Sequence, residues 1–167
     1  MKHKSLYLII TALILTGLFI NSCKKDKQDS IAITLSAGNW QLSSVRVTTT
    51  VGDTIKLDTT YNTVCDSPQV LKFNLDNTCT YKNFNCVKQP TAVGHWSLTP
   101  NRLFLNCDIV CKDTTATGTS KPFSYAQIFN AGDYSLVLIT GDIQNFVSSK
   151  KRTVLRYGFI KQKTAVQ

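Results

Sequence analysis

The sequence contains no glutamate: all ten acidic residues of this 167-residue chain are aspartates. Glutamate is a good helix former, whereas aspartate, asparagine and serine favour turns and helix caps. The chain is rich in threonine, which favours strands, and it has no apolar stripe of helical period longer than about two turns. These absences predict an all-β fold.

Histidine is scarce, with only His3 and His95 in the chain. A Ser-His-Asp triad needs a histidine beside a nucleophile and an aspartate, and no nucleophile-elbow motif is present. A zinc site needs four ligands, and the available set of Cys86, His95, Cys107 and Cys111 is scattered. No glycine-rich phosphate loop occurs. We therefore expect no enzymatic activity, no metal and no cofactor.

A long apolar run is also missing, because Leu6–Ile20 is shorter than the about 20 residues that span a bilayer. This run follows the basic Met1–Lys4 and ends at the small residue Ser22, the pattern of a secretory signal peptide. With Cys23 after it, the segment resembles the lipobox of bacterial lipoproteins. The resemblance implies a signal peptide over residues 1–22 and a lipid on Cys23. Two or more acyl chains there would hold a membrane stably.

The resemblance also implies a cellular location, because Lys24 stands where inner-membrane lipoproteins often carry aspartate. We therefore expect lipid anchoring in the outer membrane, with residues 23–34 as lipidated cysteine and tether. The formal net charge is +9, with basic residues concentrated near the C-terminus. We interpret this concentration as a solvated face, although it could also meet anionic lipid or polysaccharide. An envelope address argues against a nucleic-acid partner.

Eight short, strand-like runs separated by turn clusters follow the tether. The predicted strands are Trp40–Val47, Val70–Leu75, Cys79–Phe84, Ala92–Leu98, Leu103–Cys107, Phe123–Phe129, Ser135–Thr140 and Arg152–Ile160. The threonine-rich stretch up to Tyr61 either extends the first strand or forms a hairpin. Cys111–Lys121 is predicted as a loop.

Strands joined by tight turns prefer antiparallel pairing, and closure of an eight-stranded sheet removes its exposed edges. The sequence therefore predicts an eight-stranded antiparallel up-and-down β-barrel over residues 35–162, with residues 163–167 as a tail. The alternative is an open β-sandwich. Pairing between the first and last strands distinguishes the two.

Gly38-Asn39-Trp40 at the start of the first strand resembles the Gly-x-Trp signature of lipocalin-like barrels. The order of Phe73-x-x-Asp-Asn-Thr and Gly94-x-Trp-x-Leu behind it is similar to the lipocalin-like domains of bacterial lipoproteins. The resemblance covers about residues 35 to 160. It implies that Trp40 closes one end of the barrel beneath an arginine of the last strand, here Arg156, with Arg152 as second choice. A guanidinium over an indole gains about 0.5–2 kcal/mol.

Five cysteines remain once Cys23 is assigned to lipid, and an oxidising envelope favours disulfides. The odd number permits at most two bridges. Cys65 and Cys86 flank a predicted hairpin and are the first predicted pair, and Cys107 and Cys111 are the second. Cys79 is then a free, buried thiol, which behaves as a small hydrophobe. Pairing of Cys79 with Cys107 remains an alternative.

An eight-stranded barrel is wide enough for side chains or for one small ligand. The first predicted function is binding of a small apolar or amphipathic molecule in the barrel, against Phe73, Trp96, Phe123, Tyr125 and Leu138. The alternative is an envelope interaction module with a packed barrel, which binds a protein or glycan through its loops. Large aromatic side chains meeting in the interior would favour the alternative, and a cavity of about 300 Å³ or more would favour the first.

Overall fold

The computed structural model describes residues 26–147 and 149–163. The chain divides into two compact units at Ile31 and Ala32. Helix α1 spans Asp26–Ser36. The strands are β1 Asn39–Val51, β2 Thr54–Tyr61, β3 Val70–Phe73, β4 Thr78–Lys82, β5 Ala92–Leu98, β6 Phe104–Cys107, β7 Cys111–Lys112, β8 Thr119–Ser120, β9 Ala126–Ala131, β10 Ser135–Gly141 and β11 Lys151–Lys161. The predicted signal peptide over residues 1–22, the lipid on Cys23 and most of the tail lie outside the described residues.

Eight strands close into an antiparallel barrel in the order β1, β3, β4, β5, β6, β9, β10, β11 and back to β1. The closing ladder runs from Trp40 opposite Lys161 to Val51 opposite Lys151. The first and last strands of the chain therefore pair, which confirms the predicted barrel and excludes the open sandwich.

Strand β2 is a ninth strand that stands outside the closed barrel. It pairs with the second half of β1, from Val45 opposite Tyr61 to Val51 opposite Thr54, and all eight of its residues are exposed. The threonine-rich stretch thus forms a hairpin with β1, which is one of the two alternatives that the sequence allowed. Strands β7 and β8, with two residues each, form a separate hairpin within the predicted Cys111–Lys121 loop.

A bulge in β1 decides which of its side chains point inward. The register of β1 against β11 shifts between Leu42 and Ser44, so Leu42 and Val45 are both buried although they are three residues apart. A bulge adds one residue to a strand and changes the phase of its alternation. Gly158 accommodates the shift, because a Cβ on it would lie 2.6 Å from the Ser44 hydroxyl oxygen.

The segment over residues 23–34, predicted as lipidated cysteine and tether, is helical in its described part, from Asp26 onward. Contacts near the helix end account for this helix better than helix propensity does. The Leu35 side chain is fully buried, and the Leu35 carbonyl accepts a hydrogen bond from the Trp40 indole N–H at 2.7 Å. The Ser36 hydroxyl donates to the Ala32 carbonyl. Nowhere in residues 26–147 or 149–163 is there a helix long and apolar enough to cross a membrane.

The two barrel ends differ in their covering. The end at which β1 begins, called the closed end here, carries Leu35, Trp40 and the tight turns between β3 and β4, β5 and β6, and β9 and β10. The opposite end, called the mouth, carries the longer connections: residues 62–69, the 3₁₀ turn Phe84–Cys86, the β7–β8 hairpin and residues 142–150.

Candidate functional site

The barrel interior is filled by a chain of aromatic rings. Phe123 contacts both Tyr157 and Tyr81, with ring centroids 5.1 and 5.9 Å apart, and Phe73 meets Trp96 edge-on at 5.3 Å. These separations are those of well-packed aromatic pairs. Little space for a ligand remains in the middle of the barrel.

This packing revises the predicted ligand-binding set. Phe73, Trp96, Phe123 and Leu138 are buried within the core, where they contact other side chains. Tyr125 is half-buried and stacks on Phe104. The structure therefore does not gather the five residues around one cavity, because their inward alternation produces core packing.

A cleft of about 430 Å³ lies instead at the mouth. Its floor is formed by Leu42, Val45, Leu155 and Tyr157, side chains that point inward from β1 and β11. The sequence pattern alone did not predict this cleft. Alternation counted from Trp40 places Ser44 inside, whereas the bulge places Val45 there. One signal in the sequence pointed to the bulge: strict alternation from Trp40 would have buried Ser44 and Arg46, and both of these side chains are polar.

The rim of the mouth cleft is polar. It is lined by Asn62, Thr63, Gln69, Asn85 and Thr114, with Tyr61 on one side. Amide and hydroxyl groups can both donate and accept hydrogen bonds. None of the described residues that line the cleft carries a charged side chain.

Gln69 fixes the rim from beneath. Its side chain is only 4% exposed, and its Oε1 accepts a hydrogen bond from the Asn85 backbone N–H at 2.9 Å. Its own carbonyl accepts from the Leu42 N–H at 2.9 Å. One residue thus joins the Phe84–Cys86 turn to the bulged region of β1, which positions both the floor and the rim.

The predicted Cys65–Cys86 disulfide is present and closes one wall of the cleft. It joins the 62–69 connection to the Phe84–Cys86 turn, where Asn83, Asn85 and Cys86 all have positive φ. Asparagine tolerates this backbone region better than most residues. The bridge therefore holds an unusual turn conformation next to the site.

Two buried hydroxyl groups lie close to the floor. Burial raises the pKa of Tyr157 to about 12, while a hydrogen bond with Thr140 acts in the opposite direction. Burial also raises the pKa of Tyr81 well above its usual value, and the Tyr81 hydroxyl has no hydrogen-bond partner among the described residues. Both phenols are therefore neutral at physiological pH and contribute no charge near the cleft.

The predicted pair of Trp40 and Arg156 does not form. Trp40 lies opposite Lys161 in the ladder, whereas Arg156 lies opposite Arg46. Arg156 alternates with the buried Tyr157 and therefore points outward, where its guanidinium lies 4.3 Å from the Phe129 ring centroid. Arg156 therefore does make a cation–π contact, but its partner is Phe129 on the outer wall and not Trp40.

The predicted Cys107–Cys111 bridge is also wrong for this structure. Cys79, Cys107 and Cys111 are all free and buried, and the Cys107 sulfur lies 3.0 Å from the Cys79 sulfur. Cys79 is thus a buried thiol as expected, but Cys107 is its neighbour.

A second cleft, of about 350 Å³, lies on the outer wall beside His95 and Asp108. The His95 Nδ1 lies 3.5 Å from Asp108 Oδ2, and the side chains are 73% and 62% exposed. The His95 backbone N–H donates to Asp108 and holds the pKa of that carboxyl below its ordinary value. A contact between side chains this exposed is weak because water screens it, so the mouth cleft is the better candidate.

Within residues 26–147 and 149–163, no group of three or more His, Cys, Asp or Glu side chains is arranged to hold a metal ion. No protein-family model matches the chain, and no curated protein matches it either.

Proposed function

We propose that this protein is an envelope lipoprotein, anchored through lipid on Cys23 in the outer membrane, whose lipocalin-like barrel binds a small, uncharged amphipathic molecule at its mouth. The mouth cleft is the observation that carries the proposal. Its volume of about 430 Å³ falls within the about 300–1,000 Å³ typical of small-molecule sites. An apolar floor beneath a few polar groups is also typical of such sites.

The lining indicates the chemical class of the ligand. An apolar part would lie against Leu42, Val45 and Leu155, gaining about 25 cal/mol for each Å² of apolar surface removed from water. Hydroxyl or carbonyl groups of the ligand would then meet the Asn62, Asn85 and Thr114 side chains. A buried ionic group would find no opposite charge among these lining residues, and an unpaired buried charge is costly.

The packed core limits the depth of binding. Phe123 and Tyr157 are in ring contact beneath the cleft, so a long acyl chain cannot run along the barrel axis. We therefore expect a compact ligand held at the mouth, with part of its surface near solvent.

The binding part of the proposal is tested with the protein purified from its own envelope. Native mass spectrometry should show a non-covalently bound mass of a few hundred daltons. The uncharged dye N-phenyl-1-naphthylamine should bind with increased fluorescence, and the released ligand should displace it.

A Thr114→Trp variant should weaken dye binding by about tenfold or more, equivalent to about 1.4 kcal/mol. Thr114 is an exposed residue on the cleft rim, so an indole there fills the cleft without disturbing the core. Ala116→Trp, two residues away on the same exposed hairpin, is the matched control and should leave the affinity unchanged. Equal affinities for the two variants would place the dye elsewhere.

The anchoring part has a separate test. The full chain should partition with outer membranes and yield an N-terminal peptide that begins at a lipidated Cys23. Cys23→Ser should abolish both the lipid and the cleavage. A full chain cleaved without lipid would contradict anchoring while leaving the binding proposal intact.

The second candidate function is an interaction module, which the packed aromatic interior favours and for which strand β2 offers a binding edge. Leu57 and Tyr61 are about half exposed on β2, and only β1 pairs with this strand among the described residues. A free strand edge can accept a further strand from a partner. A bare protein mass together with no dye binding would shift the assignment to this function.

A further inference from the structure

Three buried thiols line one part of the barrel wall: Cys79 on β4, Cys107 at the end of β6, and Cys111 on β7. The Cys79 and Cys107 sulfurs are 3.0 Å apart, about 1 Å more than the length of an S–S bond. Both side chains are at most 2% exposed.

The two cysteines lie on strands that are not neighbours, because β5 runs between them. Cys79 lies opposite Gly94 in the β4–β5 ladder, and Cys107 lies opposite Trp96 in the β5–β6 ladder. A side chain on the inner face of β5 would normally separate them. Gly94 has none, so the two thiols meet across the inner face of this strand.

The backbone of the segment after Cys107 packs closely against Gly94. A Cβ at Gly94 would lie 2.8 Å from the Ile109 Cα and 2.6 Å from an Asp108 carboxylate oxygen. The chain that follows Cys107 therefore passes directly over Gly94 and brings the end of β6 towards β4. Alanine at position 94 would force this crossing apart.

We propose that Cys79 and Cys107 are joined by a second disulfide in the oxidised protein, which links β4 to β6 across Gly94 and leaves Cys111 as the one thiol of the described residues. The oxidant is a disulfide, either of a thiol oxidoreductase or of a small molecule. One cysteine attacks it as a thiolate and forms a mixed disulfide. The other then displaces the reduced oxidant and forms the S–S bond, with two protons lost and two electrons passed to the oxidant.

Burial of the two thiols determines when they can react. Their sulfurs share one hydrogen bond in which either thiol can be the donor. The attacking form is the thiolate, and an oxidant has no access to side chains that are at most 2% exposed. Because both thiols are buried in the closed barrel, oxidation takes place while the chain is still folding.

The test is cysteine mapping on the full chain, extracted from its own membranes. Free thiols are blocked with N-ethylmaleimide in denaturant, without reductant, before digestion. We expect two linked peptide pairs, Cys65–Cys86 and Cys79–Cys107, and blocked Cys111. Blocked thiols at both Cys79 and Cys107 would overturn the proposal whatever the state of Cys65 and Cys86, and so would a Cys107–Cys111 linkage.

Two variants test the proposed linkage in separate samples, so that the result does not depend on the handling of a single preparation. Cys111→Ser should leave the Cys79–Cys107 linkage unchanged, and loss of the linkage would contradict its assignment. Gly94→Ala should lower the linked fraction severalfold. Gly132→Ala is the matched control, because the atom nearest to a Cβ there is 3.9 Å away, and its linked fraction should equal that of the parent protein.

Discussion

Replacement of Trp40 with alanine should lower the free energy of unfolding by about 3–5 kcal/mol, the usual cost of deleting a large buried aromatic side chain. The Trp40 side chain is fully buried, and its indole N–H donates to the Leu35 carbonyl at 2.7 Å. The substitution therefore leaves a cavity at the closed end and an unpaired carbonyl. Urea unfolding followed by circular dichroism measures the change.

Trp40→Phe keeps most of the ring volume but removes the N–H donor, so it should cost less, about 1–3 kcal/mol. Tyr134→Ala is the control, because this side chain is 82% exposed and should change stability by about 0.5 kcal/mol or less. If Trp40→Ala unfolds at the same urea concentration as the parent protein, Trp40 does not seal the closed end.

Removal of the Cys65–Cys86 bridge by replacing both cysteines with alanine should cost about 3 kcal/mol. The bridge closes a loop with a sequence separation of 21, and the chain-entropy model gives about this value for such a loop. The variant should also lose affinity for N-phenyl-1-naphthylamine, because Asn85 on the cleft rim is held by the bridged turn. Thermal unfolding and dye titration measure the two effects.

Val64→Ala is a suitable control for the bridge variant, since its side chain is 82% exposed and adjoins Cys65. It should leave both stability and dye affinity unchanged. A bridge variant that loses stability but retains full affinity would show that Gln69 alone positions the rim.

The fold was predictable because the strand signals in this sequence are local. Leu71 and Phe73 flank the polar Lys72 on β3, and Leu136, Leu138 and Thr140 occupy alternate positions on β10; these inward faces are buried in the structure. Turn residues between the runs then require neighbouring strands to be antiparallel. Closure follows because an open edge on this many strands would remain unpaired.

The mouth cleft was less predictable because it depends on one bulge. The shift between Leu42 and Ser44 moves Val45 to the inner face and Arg46 to the outer face, where Arg46 forms an ion pair with Asp58. Alternation in sequence cannot locate such a shift without knowledge of the partner strand. The same limit applies to Arg156, whose neighbour Phe129 lies on β9 and becomes adjacent only through the register of three strands.

The two cysteine pairs differ in the same way in how far the sequence could predict them. Cys65 and Cys86 flank one hairpin, so local reasoning finds them. From the sequence, Cys79 and Cys107 are only an alternative pair, because their contact crosses an intervening strand at a glycine, and the tertiary structure is needed to locate that crossing.

The ladder between β1 and β11 also determines the order in which the molecule can fold. It brings together Thr49 and Thr153, 104 positions apart in the chain, and Gln41 and Gln162, 121 positions apart. Contacts between such distant residues are slow to form, because the entropy of the intervening loop is lost first. During synthesis from the N-terminus, β1 is among the first strands made, yet its closing partner is the last. Until β11 arrives, nascent chains carry an unpaired, threonine-rich edge, the stage at which they are most exposed to aggregation and most in need of a chaperone.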